Sequence, residues 1–163
     1  MRLDRVLALG LALAASLAHA QLAPVDPDWR EVEAPPPGAI NVDGLITLDI
    51  PRSTLRFGVA PGSVTLGSDG IVRYVVVATS TSGVVNGLYE GIRCSTGEHK
   101  VYARHNPGSG WVVAKDAQWQ AVQQSRHALV IARTGACVGH GANRSASKIL
   151  GDLRSPIDRL DRP

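Results

Sequence analysis

Ile71-Val72-Arg73-Tyr74-Val75-Val76-Val77-Ala78-Thr79 opens the stretch that decides the fold; past Ser82-Gly83 it continues as Val84 to Cys94, and past Thr96-Gly97 as Glu98 to His105. β-Branched and aromatic residues crowd all three runs, glycine-containing turns separate them, and no proline falls between Gly70 and His105. This pattern predicts three antiparallel strands. Val75 to Ala78 is apolar on both sides, as in a strand covered on both faces.

Thr96-Gly97, read as a two-residue turn, sets the faces of the second and third strands. One face then carries Leu88, Ile92, Cys94, Val101 and Ala103, with Glu90, His99 and His105 among them, and is the expected core side. The other carries Tyr89, Arg93, Lys100, Tyr102 and Arg104 around Gly87 and Gly91. The preceding hairpin has two registers. A two-residue turn at Ser82-Gly83 places Arg73 on the Glu90 face and Tyr74 across from Gly91; a three-residue turn at Thr81-Ser82-Gly83 places Tyr74 opposite Glu90.

Upstream, Leu45 to Ile50 stops at Pro51, and Thr54 to Val59 stops at Ala60-Pro61-Gly62; both read as strands. Ser63 to Leu66 leads through Gly67-Ser68-Asp69-Gly70 into the central run, and Asp-Gly is a hairpin cue, so these two strands should pair. Downstream, Trp111 to Ala114 continues the meander. Ser125 to Thr134 is read as a short buried helix with Gly135 at its C-terminal cap, a strand being the alternative. Ser145 to Arg154 reads as a second helix, capped by Asn143 or Ser145 and ended by Pro156. The expected fold is α+β: an antiparallel sheet of about six strands with one or two C-terminal helices packed on it.

Arg2 and Arg5, the apolar run Val6 to Ala15 and the small residues of Ala18-His19-Ala20 read as a secretory signal peptide over residues 1–20, cleaved after Ala20. The run is shorter than the ~20 residues a membrane-spanning helix needs, so no transmembrane segment is expected after cleavage. Residues 21–40, with prolines at 24, 27, 35, 36 and 37, form an extended arm whose only large apolar anchor is Trp29. A single domain over 41–155 and a mobile tail over 156–163 complete the organisation. Localisation is periplasmic or secreted. Cys94 and Cys137, the only cysteines of an exported chain, are expected to form a disulfide joining the second central strand to the C-terminal region.

The formal charge of +3 is too mild to argue for polyanion binding, and export argues against nucleic acid. No nucleophile elbow, phosphate loop or zinc spacing occurs in the sequence. Glu90 is the weak catalytic candidate: a carboxylate on an apolar strand face needs a partner or a function, and Arg73 or a histidine could supply the former. A shared metal ion is not expected, because His99 and His105 lie about 20 Å apart along a strand, and no cofactor is expected. The basic and aromatic set Tyr89, Arg93, Lys100, Tyr102 and Arg104 is the candidate binding face, for an envelope protein or an anionic envelope component. Asn143-Arg144-Ser145 matches a glycosylation acceptor. The leading reading is a non-enzymatic periplasmic binding or envelope-associated module; the alternative is a small periplasmic hydrolase with a site around Glu90 and nearby histidines.

The signal sequence, Asp28-Trp29-Arg30-Glu31 with its prolines, Gly70 to Val77, Tyr89-Glu90-Gly91-Ile92-Arg93-Cys94 and the late Cys137 together resemble the CNP-one-like family of small secreted proteins of Gram-negative bacteria. The resemblance covers nearly the whole chain after the signal, and Tyr89 to Cys94 is its most specific part. It implies an envelope location and a single-domain architecture, and it carries over no activity or catalytic residue.

Overall fold

The computed structural model describes residues 26–35 and 37–156; the expected signal peptide and most of the tail lie outside these residues. The central runs form strands β4 (Ile71–Thr79), β5 (Val85–Arg93) and β6 (Glu98–Asn106). They are preceded by β1 (Ile46–Leu48), β2 (Arg56–Val59) and β3 (Thr65–Leu66), and followed by β7 (Gly110–Val113) and β8 (Gln120–Ala121). All pair antiparallel, in the order β1-β2-β4-β5-β6-β7. β3 continues the line of β2 along β4, and β8 pairs the start of β6 where β7 pairs its end. The sheet therefore has eight strands rather than about six, because the neighbours of β4 and β6 on these two sides are each broken into short segments.

Two turns settle the registers. Ser80 N–H donates to Val84 O at 3.0 Å, closing the three-residue turn with Gly83 at φ +85°, and Tyr74 pairs with Glu90. The second turn spans four residues, Cys94 to Gly97, so Ile92 pairs with His99 rather than Val101. A bulge follows between Tyr89 and Glu90: Glu90 pairs with Val101, Tyr89 with Ala103, and Tyr102 is the extra residue. A bulge reverses the alternation beyond it. Ala103 and His105, expected beside Glu90, thus lie on the Tyr89 side, while Arg104 pairs with Leu88 on the Glu90 side.

Both faces of the sheet are covered. On one, Val72, Tyr74, Val76 and Ile92 pack with Ala128 and Ile131 of α1 (Arg126–Ile131) and Ile149 and Leu153 of α2 (Ala146–Arg154). On the other, Val75, Val77, Tyr89 and Ala103 pack with Ala34 and Ile40 of the arm and with Trp111. β4 is buried from Ile71 to Ala78 for this reason. Ser125 caps α1 by accepting from Ala128 N–H, and Ser145 caps α2 by accepting from Lys148 N–H. Gly135 is no C-terminal cap. It lies buried in a π turn over Ala132–Ala136 that follows α1, where a side chain would run into Leu153. The turn delivers the chain to Cys137 in the ribbon β9 (Cys137–Val138) and β10 (Gly141–Ala142), where it forms the disulfide with Cys94. Closing that loop contributes about 4 kcal/mol in the chain-entropy account. Asn143 is only 2% exposed and donates to Gly135 O and Asp152 Oδ2, both at 2.8 Å, so it binds the π turn to α2 and offers no surface for a glycan.

Candidate functional site

Glu90, the catalytic candidate, is buried on the helix side of the sheet. Tyr74 O–H donates to its Oε2 at 2.9 Å, and His127 Nε2 lies 3.0 Å from Oε1 and 3.1 Å from Oε2. Burial and the neighbouring carboxylate push the Tyr74 hydroxyl well above its ordinary range, so it remains a donor. His127 stacks on Phe57, with centroids 5.1 Å apart. Ser125 Oγ is within 3.3 Å of both ring nitrogens, and it also accepts the capping N–H of Ala128. A serine–histidine–carboxylate relay needs hydroxyl and carboxylate on different ring nitrogens. Here the hydroxyl straddles both nitrogens instead of lying in line with the one opposite the carboxylate, it already accepts the Ala128 N–H, and the carboxylate is buried. Of the partners expected for Glu90, a histidine supplies one, but it is His127. His99 is buried nearby beside Ile92, and burial holds its imidazole below its usual value. His105 packs edge-on to Trp111 on the opposite face, and Arg73 points to that face as well. Among the described residues no cluster of three His, Cys, Asp or Glu side chains could hold a metal ion.

The basic and aromatic face is built differently, and the arm lies on it. Arg73 forms a two-pronged pair with Asp69 at 2.7 and 3.2 Å, and the pair grips the backbone of Val32: Asp69 Oδ2 accepts Val32 N–H and Arg73 donates to Val32 O, both at 2.9 Å. Trp29 donates its indole N–H to Asp69 O at 2.9 Å, and the Arg93 guanidinium sits 3.6 Å above the Trp29 ring. The carboxylate of Glu31 meets several donors: Tyr102 O–H donates at 2.8 Å, Lys100 Nζ at 3.0 Å and Trp119 N–H at 3.2 Å, with Arg73 at 3.9 Å. Burial pushes the Glu31 carboxyl up, but the Lys100, Tyr102 and Trp119 donors and the Lys100 charge outweigh it and hold it below its usual value. Asp69 is likewise lowered, burial being outweighed by Arg73 and by the N–H groups of Val32 and Ile71.

Of the five residues expected on the binding face, Tyr89, Arg93, Lys100 and Tyr102 share this side, with Tyr102 lying over Gly91. Arg104 is exposed on the other. Sequence reasoning passed over Glu31, Asp69 and Trp119. For Glu31 a signal existed: in extended chain, residues two apart share a side, so Trp29 and Glu31 point together. Asp69 reads in the sequence as turn chemistry, and the hairpin pairs it with Arg73. Trp119 offered no local signal.

Neither the curated proteins nor the solved structures contain a match to this chain. The model of the CNP1-like family matches residues 25–154, from within the arm to the last residue of α2, and the chain belongs to that family.

Proposed function

We propose that this protein is an exported, non-enzymatic binding module whose receptor face is the side of β4–β6 carrying Arg73, Tyr89, Arg93, Lys100 and Tyr102, and that it takes an acidic, aromatic peptide segment of an envelope partner. The carrying observation is how the arm is held. Main-chain groups of Val32 meet a buried ion pair, an indole lies under a guanidinium, and a carboxylate sits among a lysine, a tyrosine and a tryptophan. Extended peptides are commonly recognised by backbone hydrogen bonds for affinity with side-chain seats for specificity. Residues 29–32 are then the resident occupant that a partner replaces. The disulfide suits an oxidising compartment, and the self-satisfied Tyr74–Glu90–His127 cluster supports a structural part for Glu90 over the hydrolase reading.

A labelled peptide of residues 26–34 tests this against the full chain and against a Trp29→Ala/Glu31→Ala double variant. The variant, its seat vacated, binds the peptide saturably and at least ~10-fold more tightly than the parent does; adding Tyr102→Phe and Lys100→Ala removes the binding. Equal, unsaturable uptake by parent and variant overturns the proposal.

A further inference from the structure

On the opposite side of the molecule, an open cleft of about 630 Å³ runs between the β1 end of the sheet and the two helices. Leu48 and Ile50 from the β1 segment, Leu129 and Val130 from α1 and Leu153 from α2 make it apolar. Arg52, Arg126 and Arg133 line it too, against the single acidic residue Asp49. Among the described residues the side chains of Arg52 and Arg126 have neither hydrogen bond nor ion pair, and both residues are exposed. An apolar trough beside unengaged guanidiniums is complementary to a molecule with a hydrocarbon body and one anionic head.

The backbone gives a second, independent reason. Ile50-Pro51-Arg52-Ser53 is a turn closed by Ser53 N–H to Ile50 O at 3.2 Å, and Arg52 occupies its third position at φ +58°. With proline second, that position ordinarily takes glycine, because a side chain there is strained. Arg52 is the one non-glycine residue with positive φ among the described residues. Strained backbone persists where the surrounding structure over-determines it and clusters at ligand sites, and Arg52 lines the cleft.

We infer that the cleft binds a single-chain acyl anion, its carboxylate paired with Arg52 and Arg126 and its chain lying along Leu48, Ile50, Leu129, Val130 and Leu153. A volume of this size is within the range of small-ligand sites, which run from about 300 to 1,000 Å³. The site is separate from the arm's seat, and its failure would leave the reading of that face untouched.

The test is isothermal titration of the full chain with decanoate, dodecanoate and dodecanol below their aggregation limits, beside vesicles of anionic phospholipid. Dodecanoate binds one to one, about tenfold or more tighter than dodecanol, and each added methylene strengthens binding severalfold, up to about fourfold if fully buried. Arg52→Gly/Arg126→Gln loses that preference for the anion, and Arg52→Gly alone leaves the thermal midpoint unchanged or raised, as relief of a strained position requires. Equal binding of the alcohol, full affinity in the double variant, no saturable binding, or binding to vesicles alone would each overturn the inference; the last would mean a membrane surface instead of a free acyl anion.

Discussion

Tyr74 and Glu90 face each other because the turn between β4 and β5 has three residues instead of two, a difference that reverses the first strand. Glu90 was legible in the sequence as a carboxylate that had to be matched. Its main partner was not, because His127 arrives 37 residues later from a helix whose facing depends on tertiary packing. Tyr74 gives the cleaner probe of the cluster, since Tyr74→Phe deletes a hydroxyl and leaves the ring's packing and the His127 contact in place. A hydrogen bond to a charged group is worth about 1.5–3 kcal/mol, and urea unfolding of Tyr74→Phe should show a loss in that range. A loss below ~0.5 kcal/mol would mean that the carboxylate finds another donor and that the Tyr74 contact adds little.

The strands were readable as elements because each is a run of β-formers between glycine turns. Their faces were only half readable, because alternation predicts sides correctly only as far as the first bulge. Tyr102 is that point: upstream of it Lys100 lies where expected, and downstream Ala103, Arg104 and His105 have all changed side. The C-terminal elements show a similar limit. Apolar content locates α1 and suggests Gly135 as its cap, but the missing side chain of Gly135 is what lets α2 approach the π turn. A Cβ at that position would lie 2.6 Å from Leu153 Cγ and 3.2 Å from the carbonyl oxygen of Ile149. Leu153 is buried and has little room to retreat, so Gly135→Ala should cost about 1–3 kcal/mol by overpacking, read as a lowered urea midpoint. Gly151→Ala, in α2 with open space around it, is the control and should be neutral or stabilising. Equal effects of the two substitutions would show that backbone propensity, and not the α2 contact, governs the position.

At the scale of the whole molecule the chain is layered, with the arm on one face of the sheet and the helices on the other, and the two layers are held by different forces. The helix side is a continuous apolar cluster closed by a disulfide; the arm side joins a smaller apolar cluster, which Ala34 and Ile40 enter, to polar contacts that need Glu31 and Asp69 ionised. Both carboxyls are held below their usual values of about 4 in the folded chain. When the arm lifts, Glu31 loses its Lys100, Tyr102 and Trp119 partners, whereas Asp69 keeps Arg73 and loses only the Val32 N–H. The arm's hold therefore rests chiefly on Glu31; it is complete above pH ~5 and is lost as pH falls through the folded value, where an arm-released chain takes up the proton more readily. Acid should lift the arm before it disturbs the helix side. The three tryptophans report this directly: Trp29 lies in the arm, Trp119 donates to Glu31, and Trp111 donates to Gly38 O at 2.8 Å. Below about pH 4 their emission should shift to the red while the far-ultraviolet signal of the sheet is retained. Glu31→Gln, which keeps the shape and removes the charge, should move that transition toward neutral pH. If the two optical signals change together, or if Glu31→Gln titrates as the parent does, the arm is part of the cooperative core and its ion pairs do not hold it.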